Sequence, residues 1–202
     1  MTEAELQNIK IMADPKSPTS CQFTVDRPVY PDSSFYFGGK ESAEGSPLGE
    51  RLFAIPGVSS ALIAHDRVTI GKSGVEEWLP VARQVGQAIR AHIASGQPAV
   101  SDELRSRIPP ADEIRNRVQN VLDTRINPAV ASHGGIVGLI DVQGNTVFIQ
   151  MGGGYQGCGM ADVTLKQGIE VEIRAAVPEV GEILDTTDHA AGRNPYYTPS
   201  KK

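Results

Sequence analysis

Between Gln97 and Pro110 the chain carries three prolines, Pro98, Pro109 and Pro110, and little apolar content. Proline offers no N–H to a helix or a sheet, so this stretch reads as a linker. It divides the chain into a first domain at 1–97, a linker at 98–110 and a second domain at 111–202. Domains of roughly 90 residues bury only a modest core. Aromatic residues make up 5% of the chain, so those cores must be aliphatic.

The formal net charge of −5 argues against nucleic-acid and membrane surfaces, both of which favour basic patches. No apolar run approaches the length of a membrane span. Met1-Thr2-Glu3-Ala4-Glu5 resembles neither a secretory signal nor an arginine-rich transit peptide. The two cysteines, Cys21 and Cys158, fall in different halves, which speaks for a reducing, cytoplasmic setting rather than a disulfide framework.

In the first half, Cys21 to Val25 alternates apolar and polar residues, as a half-buried strand does. Pro31 to Pro47 is rich in Gly, Ser and Pro and reads as a loop. Val58 to Ala64 and Val68 to Ile70 read as strands about a turn at His65-Asp66-Arg67. Trp78, Ala82, Val85, Ile89 and Ile93 recur at helical spacing, which predicts a helix from about Glu77 to Ser95-Gly96. On that helix His92 falls at an exposed position. Cys21 shares strand parity with Phe23 and Val25 and reads as a core residue.

The second half opens with a helix whose stripe is Ile114, Val118, Val121, Leu122 and Ile126. Ile136 to Val142 and Thr146 to Met151 form a hairpin about Gln143-Gly144-Asn145. A glycine-dense loop follows, then a helix with Leu165, Ile169, Ile173 and Ala176 on one face, which Pro178 ends. Glu182 to Thr186 supplies a third strand. The fold class expected is therefore α+β: two small α+β domains, the second built as helix, hairpin, helix and strand.

The loop holds the chemistry. Gly152-Gly153-Gly154-Tyr155-Gln156-Gly157-Cys158-Gly159 has glycines that let a backbone approach a bound group closely. Phosphates and metal-bound sulfur both use such a strand-to-helix turn. No lysine stands where a P-loop has one, since the next basic residue, Lys166, falls well inside the helix. Cys158 lies just before a helix start, where the dipole and free N–H groups favour a thiolate.

The run from Gly152 to Glu170, with Cys158-Gly159 followed by Thr164-Leu165-Lys166, resembles the cluster-binding segment of Nfu/NifU-type iron–sulfur scaffolds and carriers. The resemblance extends through Pro178-Glu179-Val180 and Asp185 to Gly192, and to Asn127-Pro128-Ala129-Val130 with His133-Gly134-Gly135. Leu52 to Val58 and Glu77-Trp78 are similar to the family's separate N-terminal domain. The resemblance implies a scaffold or carrier rather than an enzyme. The cofactor it implies is an iron–sulfur cluster, of the [4Fe–4S] type, held by Cys158 with Gly157, Gly159 and Met160 supporting the loop. Apo iron–sulfur proteins and upstream scaffolds are the partners implied, with a homodimer bridged by the cluster, and neither nucleic acid nor membrane. The first domain is implied to recognise targets.

The family's pattern is Cys-x-x-Cys, and its first cysteine falls where this chain has Tyr155. The site therefore carries over at Cys158 and not at 155. A replaced cysteine, a site completed by glutathione or a partner's thiols, a member that kept its docking surfaces and lost the cluster, and phenolate ligation by Tyr155 all remain open. Phenolate comes last, because a hard oxygen substitutes poorly for a soft thiolate. Beside the carrier stand two other functions: a cluster-free docking module, and a redox protein using Cys158 alone.

Overall fold

The computed structural model describes residues 8–74, 77–132, 134–153 and 161–186. The chain divides into two compact units, Met1–Ile108 and Pro109–Lys202.

The first unit is a five-stranded antiparallel sheet under two helices. Its strands are β1 (Ile11–Ser17), β2 (Ser20–Val25), β3 (Tyr30–Phe37), β4 (Val58–His65) and β5 (Arg67–Lys72), in the order β1-β2-β5-β4-β3. Register explains the core. Cys21, Ile70, Ala61 and Phe37 form one cross-strand row, and Phe23, Val68, Ile63 and Phe35 the next. All but Phe35 are buried. Helices α1 (Pro47–Phe53) and α2 (Trp78–Ser95) close this face with Leu48, Leu52, Val85 and Ile89, all at 0% exposure. Pro80 is tolerated because it lies in the first turn of α2, where an N–H has no helical partner. Gly96 ends the helix in the left-handed conformation, φ 64°.

Four features of this unit differ from the sequence expectations. β3 runs through the stretch expected to be a loop. It is an edge strand with a bulge between Tyr30 and Ser34, and at such an edge Pro31 removes no bond from the ladder. β1 carries no sequence signal, since five of its seven residues are exposed and no alternation marks it.

The third difference is the expected linker, 98–110. Ala99, Val100 and Leu104 are buried in the first unit's core, and a short helix α3 (Asp102–Ser106) lies within the stretch. Ser46 caps α1 by accepting from Gly49 N at 2.9 Å and donates to Ala99 O at 2.6 Å, tying this segment down. A cap signature is present: Ser101, followed by Asp102 and Glu103, accepts from Leu104 N.

The fourth is His92, which is 3% exposed and not at a surface position. It sits in the last turn of α2, the helix that packs on α1, and its Nδ1 has no hydrogen-bond partner among the described residues.

The second unit starts with α4 (Ala111–Val121), which continues through a π turn (Leu122–Ile126) into α5 (Asn127–Ala131). The hairpin β6 (Gly135–Gln143) and β7 (Thr146–Gly153), helix α6 (Ala161–Ala176) and β8 (Ile183–Asp185) follow. The sheet order is β6-β7-β8, antiparallel on one side of β7 and parallel on the other. Ile114, Val118, Leu122, Val147, Ile149, Ile169 and Ile173 are buried together with Met151 in this unit. The helix–hairpin–helix–strand pattern and the α+β class are those read from the sequence.

Burial, and then the charge of Arg51 on α1, hold the His92 imidazole below its ordinary pKa of 6.5. Folding thus favours neutral His92, while the unfolded chain takes up a proton as pH falls below 6.5. Its stability contribution is full above that pH and is lost as pH falls through the folded value. The unfolding midpoint of the first unit, followed by the fluorescence of Trp78, the sole tryptophan, will decline from pH 7 to pH 5. In His92→Leu that decline will be shallower. An equal slope in both proteins would exclude His92 as its source.

Candidate functional site

Tyr155, Gly157, Cys158, Gly159 and Met160 lie outside the described residues, as do His133 and His189. The structure does show the frame on either side of them. β7 ends at Gly153 and α6 begins at Ala161, so the seven residues 154–160 join the end of the sheet's middle strand to the start of a helix.

β7 is held by β8 over Val147–Ile149 and by β6 as far as Gly153. Toward β8, Val147 N donates to Glu182 O at 2.9 Å, and Thr186 donates to Ile149 O from its backbone N at 2.7 Å and its Oγ1 at 3.0 Å. Toward β6, the last cross-strand pairs are Val137 with Met151, Ile136 with Gly152 and Gly135 with Gly153. The glycine at 152 has a steric reason: a Cβ there would stand 3.2 Å from Ile136 Cγ2. Asn127 faces the start of β6, donating from Nδ2 to Val137 O at 3.0 Å and accepting from Val137 N at 2.8 Å.

The far end of α6 is fixed as well. Arg117 donates to Ala176 O at 3.1 Å and pairs with Glu179 at 3.2 Å, while Arg174 donates to Val180 O at 2.8 Å. Asn145, in the hairpin turn, donates to Glu179 O at 3.0 Å and accepts from Gly181 N at 3.0 Å. Cations at a helix C-terminus complement its dipole, which leaves the positive end facing the glycine loop. Leu165, expected on the inner stripe of α6, has its side chain outside the described residues; Ile169 and Ile173 are buried as that stripe requires.

Other candidates fall away on geometry. Cys21 is fully buried in the first unit's core, and burial pushes its thiol up, so it is a poor metal ligand there. Among the described residues no group of three or more His, Cys, Asp or Glu side chains is placed to hold a metal ion. His65 holds a left-handed backbone, φ 52°, in the β4–β5 turn. It lines a 460 Å³ cleft with Val25, Asp26, Arg27, Pro28, Pro31 and Asp66. The rim of that cleft already pairs Arg27 with Asp26 at 2.9 Å. Gly152, Gly154 and Gly157 do keep the G-x-G-x-x-G spacing of a dinucleotide turn. However, β6 runs antiparallel on the other side of β7, so there is no switch-point crevice of the doubly wound kind.

Residues 9–96 match the family described as the N-terminal domain of the scaffold protein Nfu/NifU, and residues 118–184 match the NifU-like domain. This chain belongs to the Nfu/NifU family. It is 47% identical over 96 residues to the Fe/S biogenesis protein NfuA of Stutzerimonas stutzeri, a match that covers 46% of this chain and 50% of that one. Over 88 residues it is 50% identical to the NfuA of Pseudomonas savastanoi, covering 42% and 45%. The matches thus span about half the length of these curated relatives. Among solved structures it is similar to a NifU-like protein from Saccharomyces cerevisiae, at 21% identity and a TM-score of 0.43, covering 50% of this chain and 91% of that one. Among the described residues no helix of this Nfu/NifU chain is long and apolar enough to cross a membrane.

The contribution of Asn127 is not legible in the sequence, where Asn127-Pro128 figures only as part of a resemblance. The half-buried Glu170 of α6 carries no sequence signal either. Burial raises its carboxyl above the ordinary 4.5, against the opposing pull of Arg174 and Lys166. The unfolded chain ionises this group first, so its contribution to stability falls as pH rises from 4.5 through the folded value. Glu170→Gln will therefore slow amide exchange in α6 at pH 7 and leave it unchanged at pH 4. Equal exchange rates at pH 7 would show that burial of Glu170 costs the fold nothing.

Proposed function

We propose that this protein takes part in iron–sulfur cluster assembly, receiving a cluster from an upstream scaffold and passing it to apo-proteins. The observation that carries the reading is the presence of both Nfu/NifU domain types in one chain, the second spanning the cysteine loop. Relatives named for Fe/S biogenesis support it. The cluster is cargo, and the protein is a carrier rather than an enzyme. In this reading it works in the cytoplasm.

Cys158 supplies the thiolate, with Gly157, Gly159 and Met160 shaping the loop around it. The fixed frame of β7 and α6 suits this role, since the loop leaves a hydrogen-bonded strand end and returns at the positive end of a helix dipole. Transfer proceeds by ligand exchange: an incoming thiolate of the apo-protein forms an iron–sulfur bond as the bond to Cys158 breaks. Each exchange leaves the iron's coordination number and charge unchanged. The first unit, with its only thiol sealed in the core, contributes target recognition in this scheme and not ligation.

Tyr155 favours a second reading. A pair of chains brings two motif thiolates, whereas a [4Fe–4S] cluster takes four. A cluster-free module that docks clients would need none.

Anaerobic reconstitution separates the two. Iron and sulfide per chain are to be measured in this protein and in Tyr155→Cys. The carrier reading expects both to retain iron and sulfide through gel filtration, with thiolate-to-iron absorption, and Cys158→Ser to lose them. Retention by Tyr155→Cys alone would make this chain a docking module with a disabled ligand position. Retention by neither would end the cluster reading.

A further inference from the structure

We propose that Asn127 is a positioning residue for the cysteine loop: its side-chain amide pins the open end of the β6–β7 hairpin, from which residues 154–160 leave. The inference rests on the reading that this loop carries the cluster ligand.

β6 is an edge strand, paired only with β7 among the described strands. In an antiparallel ladder alternate residues turn their N–H and C=O away from the partner strand. Val137 is such a residue, and both of its outward groups are taken by Asn127, at 2.8 and 3.0 Å. A primary amide presents one acceptor and one donor side by side, as a neighbouring strand does. Asn127 thus stands in for a missing strand at one rung.

The position of that rung gives it its consequence. Beyond it lie only the pairs Ile136 with Gly152 and Gly135 with Gly153, and then the loop. Three of those four residues are glycines, which bring no side chain to pack and retain the most backbone freedom. The fourth, Ile136, is 59% exposed. Among the described residues, the Val137 rung is the last one before the loop that a side-chain hydrogen bond secures.

The helix is built to deliver this contact. A π turn at Leu122–Ile126 interrupts α4 just before Asn127. Its extra residue rotates α5 relative to the stripe of Ile114, Val118 and Leu122, so Ile126 still packs inward while Asn127 reaches β6. Such π turns recur at functional sites. Pro128 follows directly; it has no N–H to give to the preceding turn and its ring crowds that turn, in keeping with an irregular helix at this place.

The test uses the full apo chain and compares Asn127→Ala and Asn127→Asp with the parent. In Asn127→Ala the amides of Ile136 and Gly152 will exchange about tenfold faster, the effect of losing two ordinary hydrogen bonds. Val147 and Ile149, further along β7, will keep their parental rates. Asn127→Asp keeps the acceptor and loses the donor, and it will fall between. The alkylation rate of Cys158 by iodoacetamide will change about threefold or more in Asn127→Ala, a shift of the size that loss of one such hydrogen bond produces. The slow reaction of buried Cys21 will stay the same. Uniform acceleration across the second unit, or an unchanged Cys158 rate, would reduce Asn127 to a purely structural role and overturn the proposal. Should neither the parent nor Tyr155→Cys hold iron, the cluster reading fails on its own, while exchange and alkylation still decide the role of Asn127.

Discussion

The second unit depends on the double pairing of β7. As the middle strand it is bonded antiparallel to β6 and parallel to β8, and its Val147, Ile149 and Met151 side chains are buried. One edge of the strand is therefore committed as far as Gly153, the other over Val147–Ile149, and one face is buried. It cannot slip by one residue without turning that buried set outward, so its register is fixed by burial. The place at which it releases the chain, Gly153, is fixed with it. A glycine-rich connection has no conformational preference of its own to define a site. Any definition it has must come from its two ends, and one of those ends is the most constrained strand in the unit.

The other end is α6, whose geometry is set remotely. Arg117 and Arg174 bind carbonyls at and beyond its C-terminus, and Asn145 holds the segment after it to the hairpin turn. These contacts lie far along the helix from Ala161, yet a helix is stiff over sixteen residues. Fixing its last turn and burying Ile169 and Ile173 aims its first turn. The first unit shows the opposite economy. Its polar anchors, such as Ser46 with Ala99 and Trp78 with Ser17, close a core that contains the chain's other cysteine. That thiol is removed from chemistry, and thiol chemistry is confined to the second unit.

Legibility tracks burial on one face. β2, β4 and β5 alternate because one face of the first sheet is covered, and they are readable in the sequence for that reason. β1 is exposed on nearly its whole length, so its pairing with β2 leaves no pattern in its residues. β3 is hidden by Pro31 and the glycines that follow Phe37, signals that usually mark loops but are compatible with a bulged edge. Residues 98–110 resemble a linker because their proline content outweighs a short apolar pair, Ala99-Val100, and a serine cap. His92 is three residues after buried Ile89 and seven after buried Val85, a spacing that places it on the inner face. Polarity alone suggests otherwise. For the loop itself, the sequence marks Cys158 as the chemically distinctive residue, and the described structure supplies only its supports. Asn127 is beyond sequence reasoning because its role depends on a π turn and on a strand residue ten positions further along the chain.

If the chain carries a cluster across two copies, as the proposed reading has it, the ligand count bears on how that cluster is held. A cluster held by four protein thiolates leaves only when four bonds have been exchanged. With Tyr155 in the motif, two chains contribute two, and any remaining iron sites must be filled by small thiols or by the recipient. Small thiols are held by no backbone, so they exchange without any rearrangement of the protein. In the proposed reading, Tyr155 therefore weakens retention and eases release together, since both depend on the same iron–sulfur bonds. A rigid frame matters more under those conditions. With fewer bonds per chain, a thiolate already in place loses less conformational freedom on binding than one that must be ordered first. The hydrogen bonds that pin β7 and α6 act in that direction, and the Asn127 rung extends them to the last residues before the loop.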